Sequence, residues 1–169
     1  KMTKQIQSFI DDDKEYTGTF HFGKTTPSFD AETKPEGDFS TSHITPEKLE
    51  ACRLNFVGEQ KQVPPIFSAK KIDGQRAYVS ARKGEAVKMR TNIITIHEFE
   101  LTRIELPEID FRVRCSKGTY IRSLANDFGL ALDSGAYLSK LRRTRSGKFS
   151  VEDAFTIDTY IESLKELQA

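Results

Sequence analysis

Basic side chains concentrate in two stretches of this 169-residue chain, where they have the type and spacing needed to hold a polyanion. Residues 61–90 contain eight Lys and Arg against two acids, and residues 138–150 contain five bases and no acid. Residues 11–50, in contrast, hold ten acids against four bases, so the net charge of +1 hides an asymmetry. Two basic stretches in a near-neutral chain favour a positive face for nucleic acid, and the alternative is an ordinary solvated surface.

Aromatic side chains accompany these bases at positions where they could stack on a nucleobase. Tyr120 and Arg122 are two residues apart, so in an extended segment both point one way while Ile121 faces the core. Tyr16 lies in a segment that alternates with Phe20 and Phe22, which predicts a strand. A flipped base needs an aromatic face, but a tyrosine in a strand is also an ordinary core residue.

The elements that must position these residues form a mixed order typical of an α+β fold with a mainly antiparallel sheet. Thr45-Pro46-Glu47 has the N-cap, first-turn proline and early acid of a helix start. We predict strands over 16–22, 91–105, 109–115 and 137–145, helices over 45–56, 75–83, 121–132 and 157–167, a long loop over 26–42, and extended or turning chain over 62–68. Residues 2–10 resemble the end of an amphipathic helix.

Composition excludes several classes of protein. Hydrophobic residues make up 37% and charged residues 30% of the chain, which is enough apolar material for a core and argues against disorder. No apolar run approaches a membrane span, and the first residues lack a signal-peptide pattern. Cys52 and Cys115 are far apart, and the three histidines (His21, His43 and His97) are scattered, so we expect no disulfide framework, no metal site and a cytoplasmic location.

Four segments then carry motifs in a recognisable order. They are Asp13-Lys14-Glu15-Tyr16 running to Phe22-Gly23, Thr26 and Asp30; Val63-Pro64-Pro65-Ile66-Phe67-Ser68-Ala69-Lys70-Lys71 with Gly74 and Arg76-Ala77-Tyr78; Gly118-Thr119-Tyr120-Ile121-Arg122 with Leu124 and Asp127; and Leu141-Arg142-Arg143-Thr144 with Gly147 and Phe149. Together they resemble the bacterial tRNA pseudouridine synthase B family over nearly the whole chain. The resemblance implies the pseudouridine synthase fold, a central antiparallel sheet flanked by helices.

The same resemblance implies a reaction that needs no cofactor or metal. The family isomerises a uridine in the T loop of tRNA by breaking the bond from ribose C1′ to base N1, turning the base, and joining C1′ to C5. An aspartate acts as nucleophile on a base flipped out of the RNA, inside a dry pocket. The implied partner is the T arm of tRNA, and the implied oligomeric state of the intact enzyme is a monomer.

Individual residues take roles from the resemblance. Tyr16 would stack on the target base, Tyr120 would form a wall of its pocket, and Arg122 would pair with the catalytic aspartate and hold it ionised. The plain alternative for Arg122 is a surface salt bridge. The residues implied to bind substrate are Leu141, Asp30, Lys70, Lys71, Arg76, Arg82, Arg142 and Arg143. Leu141 would close the base pocket and could equally be a core leucine, whereas the four cations between residues 62 and 90 would belong to an inserted element that grips the T arm.

The second basic stretch cannot present all of its arginines to one partner. In a regular strand Arg143 and Arg145 share a face and Arg142 points the other way. We therefore expect only a subset of these three side chains to reach RNA phosphates.

The nucleophile itself is expected outside this sequence, because the family's G-x-L-D-P-x-A-T-G motif does not occur in it. Leu132-Asp133-Ser134-Gly135-Ala136 is superficially similar but stands in the wrong place and lacks the Pro and the final Thr-Gly. We therefore expect residues 1–169 to be a single catalytic domain without its front segment and without a C-terminal RNA-binding domain, to be inactive alone, and to leave a sheet edge or apolar face uncovered. The alternatives are a guide-RNA-dependent rRNA pseudouridine synthase and a non-catalytic RNA-binding module.

Overall fold

A six-stranded antiparallel sheet organises the chain, so the expected α+β fold is confirmed. The structure is a computed structural model, and it describes residues 13–68, 71–72, 75–76 and 90–166. The sheet consists of β1 (Lys14–Phe22), β2 (Gly58–Gln62), β5 (Asn92–Glu105), β6 (Glu108–Cys115), β7 (Ala136–Ser146) and β8 (Phe149–Ser150), in the spatial order β2-β5-β6-β1-β7-β8. A separate two-stranded hairpin consists of β3 (Lys71–Ile72) and β4 (Gln75–Arg76).

Alternation along the central strands separates an apolar face from a charged face. Alternate residues of β6, from Ile109 to Cys115, are buried, and the residues between them are half-exposed. The apolar face continues onto β1, where it includes Phe20 and Phe22. Phe20 stacks on Phe111 of β6 with ring centroids 4.1 Å apart. This pattern fixes the strand register, because a slip of one residue would expose the whole apolar set.

Two helices cover the apolar face, and a third lies near the end of the described chain. The first two are α1 (Pro46–Leu54) and α2 (Ile121–Ala131), and the third is α3 (Ile157–Glu166). Thr45 caps α1 as predicted, since its side chain accepts from the Lys48 amide. Phe128 of α2 is buried in this core, where its ring meets those of Phe20, Phe22, Phe56 and Phe99.

Two predictions about local structure were wrong. Gln75 and Arg76 form a strand that pairs with Lys71 and Ile72, so the helix predicted from residue 75 does not begin there. The two intervening residues, Asp73-Gly74, are a favoured hairpin sequence, a local signal that the helix prediction over 75–83 did not use. The rest of the predicted helix and the predicted helix over 2–10 lie outside the described residues.

The second correction concerns β7, where a register shift interrupts the pairing with β1. Tyr16 pairs with Arg143 and Glu15 with Arg145, so Thr144 is an extra residue on β7. Arg145 therefore lies on the same face of the sheet as Glu15. In a regular strand it would share a face with Arg143, as the sequence predicted. Arg142 pairs with Thr17, on the face opposite to Arg143, as the spacing predicts.

Some apolar side chains of the described chain remain exposed. Five of them lie on or just before α3: Phe155, Ile157, Tyr160, Ile161 and Leu164. None of the helices in the described part of the chain is long and apolar enough to cross a membrane.

Candidate active site

The Arg122 guanidinium lies at the start of α2 and is held by two acceptors from distant parts of the chain. Its Nη1 donates to Oδ2 of Asp30 at 3.0 Å, and its Nη2 donates to the Phe67 carbonyl at 3.0 Å. The side chains of Arg122 and Asp30 are only 22% and 21% exposed. Arg122 is therefore a largely enclosed arginine and not the surface salt bridge of the plain alternative. Two of the five N–H donors of a guanidinium are engaged in these bonds.

A cation in the first turn of a helix is electrostatically unfavourable, because the helix dipole places positive charge there. The first turn of α2 contains no acid, and its N-cap residue, Tyr120, provides no side-chain cap. Asp30, which belongs to the loop between β1 and α1, supplies the missing negative charge from outside the helix. The Asp30 carboxylate therefore offsets the unfavourable interaction between the Arg122 charge and the helix dipole.

The carboxylate of Asp30 is itself fixed in place. Its Oδ1 accepts from the Ser28 hydroxyl at 2.6 Å and from the Glu32 amide at 3.0 Å, and Ser28 is fully buried. The preceding residue, Phe29, has a φ of 64°, a left-handed conformation that is strained for a bulky residue. The Leu138 amide donates to the Phe29 carbonyl at 2.9 Å and ties this turn to β7. Strain of this kind indicates a turn shaped for the placement of Asp30.

Tyr16 lies on the apolar face of β1, directly across from Arg143. Burial raises the pKa of the Tyr16 phenol above its usual value, the nearby Cys115 adds to the rise, and the positive charge of the adjacent Arg143 partly offsets it. The phenol therefore stays neutral at physiological pH. Its ring is half-buried against the core, so one part packs and another part remains accessible.

Leu141 is an exposed neighbour of the Tyr16 strand. It pairs with Gly18, two residues from Tyr16 on the same face, and is 47% exposed. The alternative of an ordinary core leucine is therefore wrong. One face of the β1–β7 pair therefore carries an aromatic side chain (Tyr16), an apolar one (Leu141) and a cationic one (Arg143).

Tyr120 precedes Arg122 in an extended conformation, with φ −98° and ψ 107°. Ile121 is buried, but it is the first residue of α2, so the extended segment expected over 120–122 ends at Tyr120 and strand alternation does not set the direction of Arg122. The backbone N–H and C=O of Tyr120 both bond to the side chain of Gln62, a residue that the sequence analysis did not single out. The one local signal in the sequence was a glutamine two positions before a Pro-Pro pair, which does not by itself indicate a contact with Tyr120.

Asp133 can be rejected as a functional carboxylate at this site. It follows α2 at the end opposite to Arg122, in a turn where its φ is 51°. A helix of 11 residues is roughly 16 Å long. Asp133 is also exposed, so it lacks the enclosure that Asp30 has.

The structure describes only some of the other residues predicted to contact RNA. Lys70 and Arg82 lie outside the described residues, and for Lys71 and Arg76 only the backbone of the β3–β4 hairpin is described. Arg142 is exposed on the sheet face opposite to Tyr16. The structure therefore brings together Arg122 with Asp30, and Tyr16 with Leu141 and Arg143, but it separates Arg142 from the latter group.

Comparisons with known proteins identify the family. A family model described as TruB family pseudouridylate synthase (N terminal domain) matches residues 1–121, and one described as tRNA pseudouridylate synthase B C-terminal domain matches residues 122–168. The two matched regions share one sheet, because β7 of the second pairs with β1 of the first.

The curated relatives are similar over nearly the whole chain. The tRNA pseudouridine synthase B of Flavobacterium johnsoniae is 53% identical over 165 residues, which are 98% of this chain and 72% of the relative. The enzyme of the same name from Phocaeicola vulgatus is 48% identical over 166 residues, 98% of this chain and 71% of the relative.

Solved structures agree with the fold. The crystal structure of a Cbf5-Nop10-Gar1 complex contains a chain with a TM-score of 0.70 and 31% identity, covering 99% of this chain and 41% of that one. An H/ACA RNP bound to a substrate RNA containing 2′-deoxyuridine gives a TM-score of 0.66 at 26% identity, covering 99% of this chain and 40% of that one. On the matched family models and the identity to these relatives, the chain belongs to the TruB family of pseudouridylate synthases.

Proposed function

We propose that the protein carrying this chain isomerises a T-loop uridine of tRNA to pseudouridine. The observation that carries the proposal is the enclosed Arg122, which is fixed by Asp30 and the Phe67 carbonyl. The family resemblance implies that this arginine is the partner of the catalytic aspartate. Relatives named tRNA pseudouridine synthase B, at 53% and 48% identity, support the same substrate. The residues would act in an RNA-modifying site that uses no cofactor or metal.

Arg122 serves the nucleophile electrostatically. A guanidinium beside a partly buried carboxylate stabilises the ionised form, and it lowers the pKa of such a group by roughly 1–3 units. Asp30 and the Phe67 carbonyl hold the guanidinium in one orientation, so its remaining donors are directed before substrate arrives. The nucleophilic aspartate belongs to the family motif that this sequence lacks, and the 169-residue chain alone would then be inactive.

Tyr16, Tyr120 and Leu141 would enclose the flipped base. Stacking of a base on an aromatic ring contributes about 1–3 kcal/mol, and this suits the neutral, half-buried phenol of Tyr16. Leu141, exposed beside it, would exclude water from the other side of the base. Arg143 is well placed to bond a phosphate near this pocket because it lies across from Tyr16.

The surrounding cations would hold the RNA backbone. The inserted element over 62–90 would contact the T arm through four cations, Lys70, Lys71, Arg76 and Arg82. Arg142 would bind a different phosphate, because it lies on the sheet face opposite to Tyr16. Each phosphate contact contributes roughly 0.7–0.9 to the slope of log affinity against log salt. Residues 1–169 would work as one domain of a monomeric enzyme in the cytoplasm, a setting compatible with the free thiols of Cys52 and Cys115.

A tritium-release assay tests the proposal on the complete natural polypeptide. Isomerisation breaks C1′–N1, forms C1′–C5, sends the C5 hydrogen to solvent and leaves N1 with a hydrogen. T-arm RNA labelled with tritium at uridine C5 should therefore release one tritium per product, whereas RNA labelled at C6 should retain it. RNA binding without release from the C5-labelled substrate would contradict the proposal and favour a non-catalytic binding module.

One alternative substrate is a guide-paired RNA, and the similarity to a chain of an H/ACA RNP bound to a substrate RNA is compatible with it. The same assay separates the two enzymes, because a tRNA enzyme acts on the free T-arm stem-loop with no guide RNA. Release only from a guide-paired RNA would reject the T-arm assignment.

A further inference from the structure

Gln62 forms a two-point clamp on the backbone of Tyr120. Its Oε1 accepts from the Tyr120 amide at 2.8 Å, and its Nε2 donates to the Tyr120 carbonyl at 3.1 Å. Gln62 is only 4% exposed as a residue, so its side-chain amide is removed from water and bonded to one residue 58 positions away. A buried amide is costly unless it is bonded, and these two bonds satisfy one oxygen and one N–H of the amide group.

The clamped residue is the point from which α2 departs. The Tyr120 carbonyl also accepts the first helical bond, from the Leu124 amide at 3.1 Å. Tyr120 provides no side-chain cap of its own, so Gln62 fixes the orientation of the helix start from outside. Arg122 lies two residues further along, and any tilt of the first turn would move its guanidinium.

Two more contacts join the same two stretches of chain. The Ser123 hydroxyl, 1% exposed, donates to the Val63 carbonyl at 2.7 Å, and Arg122 donates to the Phe67 carbonyl at 3.0 Å. We call residues 62–68 the proline segment, because it contains the fully buried Pro64 and Pro65. Proline fixes its own φ and restricts the residue before it, so the proline segment is a stiff partner for α2.

We propose that Gln62 is a positioning residue that holds Arg122 in its reactive orientation through the Tyr120 backbone. Gln62 is the last residue of β2, which pairs with β5. Its two bonds to Tyr120 therefore hold the start of α2 in a fixed position relative to the sheet. The proline segment is also the first part of the predicted RNA-gripping element over 62–90. Gln62 therefore lies at the junction between the sheet, the arginine and that element. This inference rests on the proposed function.

The variant that tests the clamp is Gln62→Leu, which keeps approximate size and removes both bonds. Its matched control is Gln60→Leu: Gln60 lies two residues earlier on the same face of β2 and donates to the Asn55 carbonyl at 3.1 Å, away from Tyr120. Both variants are made in the complete natural polypeptide and assayed at least 10 °C below their unfolding midpoints. Single-turnover tritium release measures chemistry, and equilibrium titration with the T-arm stem-loop measures RNA affinity.

We expect Gln62→Leu to lower the single-turnover rate at least tenfold with an RNA dissociation constant within threefold of wild type. Gln60→Leu should change neither quantity by more than twofold. A residue that only supports folding would lower the unfolding midpoint but leave the rate of the folded protein unchanged. A rate within twofold of wild type in folded Gln62→Leu would therefore overturn the proposal.

Two further measurements keep the test decisive. Gln62→Glu retains the acceptor for the Tyr120 amide and loses the donor, so we expect an intermediate rate; a wild-type rate would count against the clamp. Hydrogen exchange at the Tyr120 amide should accelerate at least tenfold in Gln62→Leu, and this readout needs no activity. If the wild-type protein releases no tritium, the proposed function fails, while the exchange rate still decides whether the clamp exists.

Discussion

The Arg122–Asp30 ion pair should contribute measurably to stability, because the two side chains are nearly four-fifths buried. Exposed ion pairs contribute about 0–1 kcal/mol, whereas breaking a fully buried pair costs about 3–5 kcal/mol. Partial enclosure places this pair between the limits, at about 2 kcal/mol. The perturbation is Asp30→Asn, which keeps the size of the side chain and removes the charge.

The expected loss is large enough to measure in a chain of 169 residues. A change of 1 kcal/mol shifts the melting temperature of a protein of this size by about 2–4 °C, so Asp30→Asn should lower it by about 4–8 °C. The matched control is Asp38→Asn, since Asp38 also lies in the loop before α1 and pairs with Lys24 at 3.4 Å, but its side chain is 96% exposed. That variant should lose no more than about 0.5 kcal/mol.

A double-mutant cycle decides whether the pair itself is responsible. Urea unfolding of wild type, Asp30→Asn, Arg122→Leu and the double variant should give a coupling free energy of at least about 1 kcal/mol. If Asp30→Asn costs no more than Asp38→Asn, or if the two changes simply add, the reasoning from enclosure is refuted.

In the activity assay, Arg122→Ala should abolish turnover and leave RNA affinity within a few-fold. Loss of binding alone would reject its assigned role.

Three further outcomes can be checked by thermal or urea unfolding. Gly18→Ala should destabilise by about 1–3 kcal/mol, because an added Cβ would lie 2.3 Å from the Lys140 carbonyl oxygen of the paired strand; an unchanged urea midpoint would contradict this. Thr45→Ala should cost about 0.5 kcal/mol through loss of the α1 cap, read as a drop in melting temperature of about 1–2 °C. The Arg103 guanidinium and the Thr19 hydroxyl lower the pKa of Asp110, so its contribution is present above the unfolded pKa and is lost as pH falls. Asp110→Asn should therefore cost up to about 1 kcal/mol at pH 7, with a difference from wild type that shrinks below about pH 4.

Strong periodicity and local capping made most of the sheet and the helices predictable. β6 was predicted at 109–115 and spans Glu108–Cys115, because its strict alternation matches one buried face. The start of α1 was predicted because Thr45 and Pro46 are local signals. In contrast, β2 was missed: its sequence Gly-Glu-Gln-Lys-Gln has no apolar alternation, and its structure depends on pairing with β5 at the sheet edge.

The relations between distant residues were the part that the sequence could not supply. The register shift at Thr144 moves Arg145 to the Glu15 side, and no local signal marks such an extra residue. The partner of Arg122 among the described residues is Asp30, 92 positions away, which reasoning from spacing could not identify. Family resemblance indicated that both residues matter, but only the fold shows that they touch.

Three departures from the local rules of stable folds lie close to Arg122 in the sequence or in the contacts of its ion pair. Arg122 is a cation in the first turn of α2, Phe29 has a left-handed backbone, and Tyr120 begins a helix without a side-chain cap. Each departure has a compensating contact: Asp30 faces the cation, the Leu138 amide holds the strained turn, and the Gln62 amide holds the helix start. A fold selected for stability alone would place an acid in that first turn and a Ser, Thr, Asp or Asn at the cap. If the proposed function is right, the contacts that compensate for these departures orient one guanidinium, and replacing them should alter chemistry more than RNA affinity.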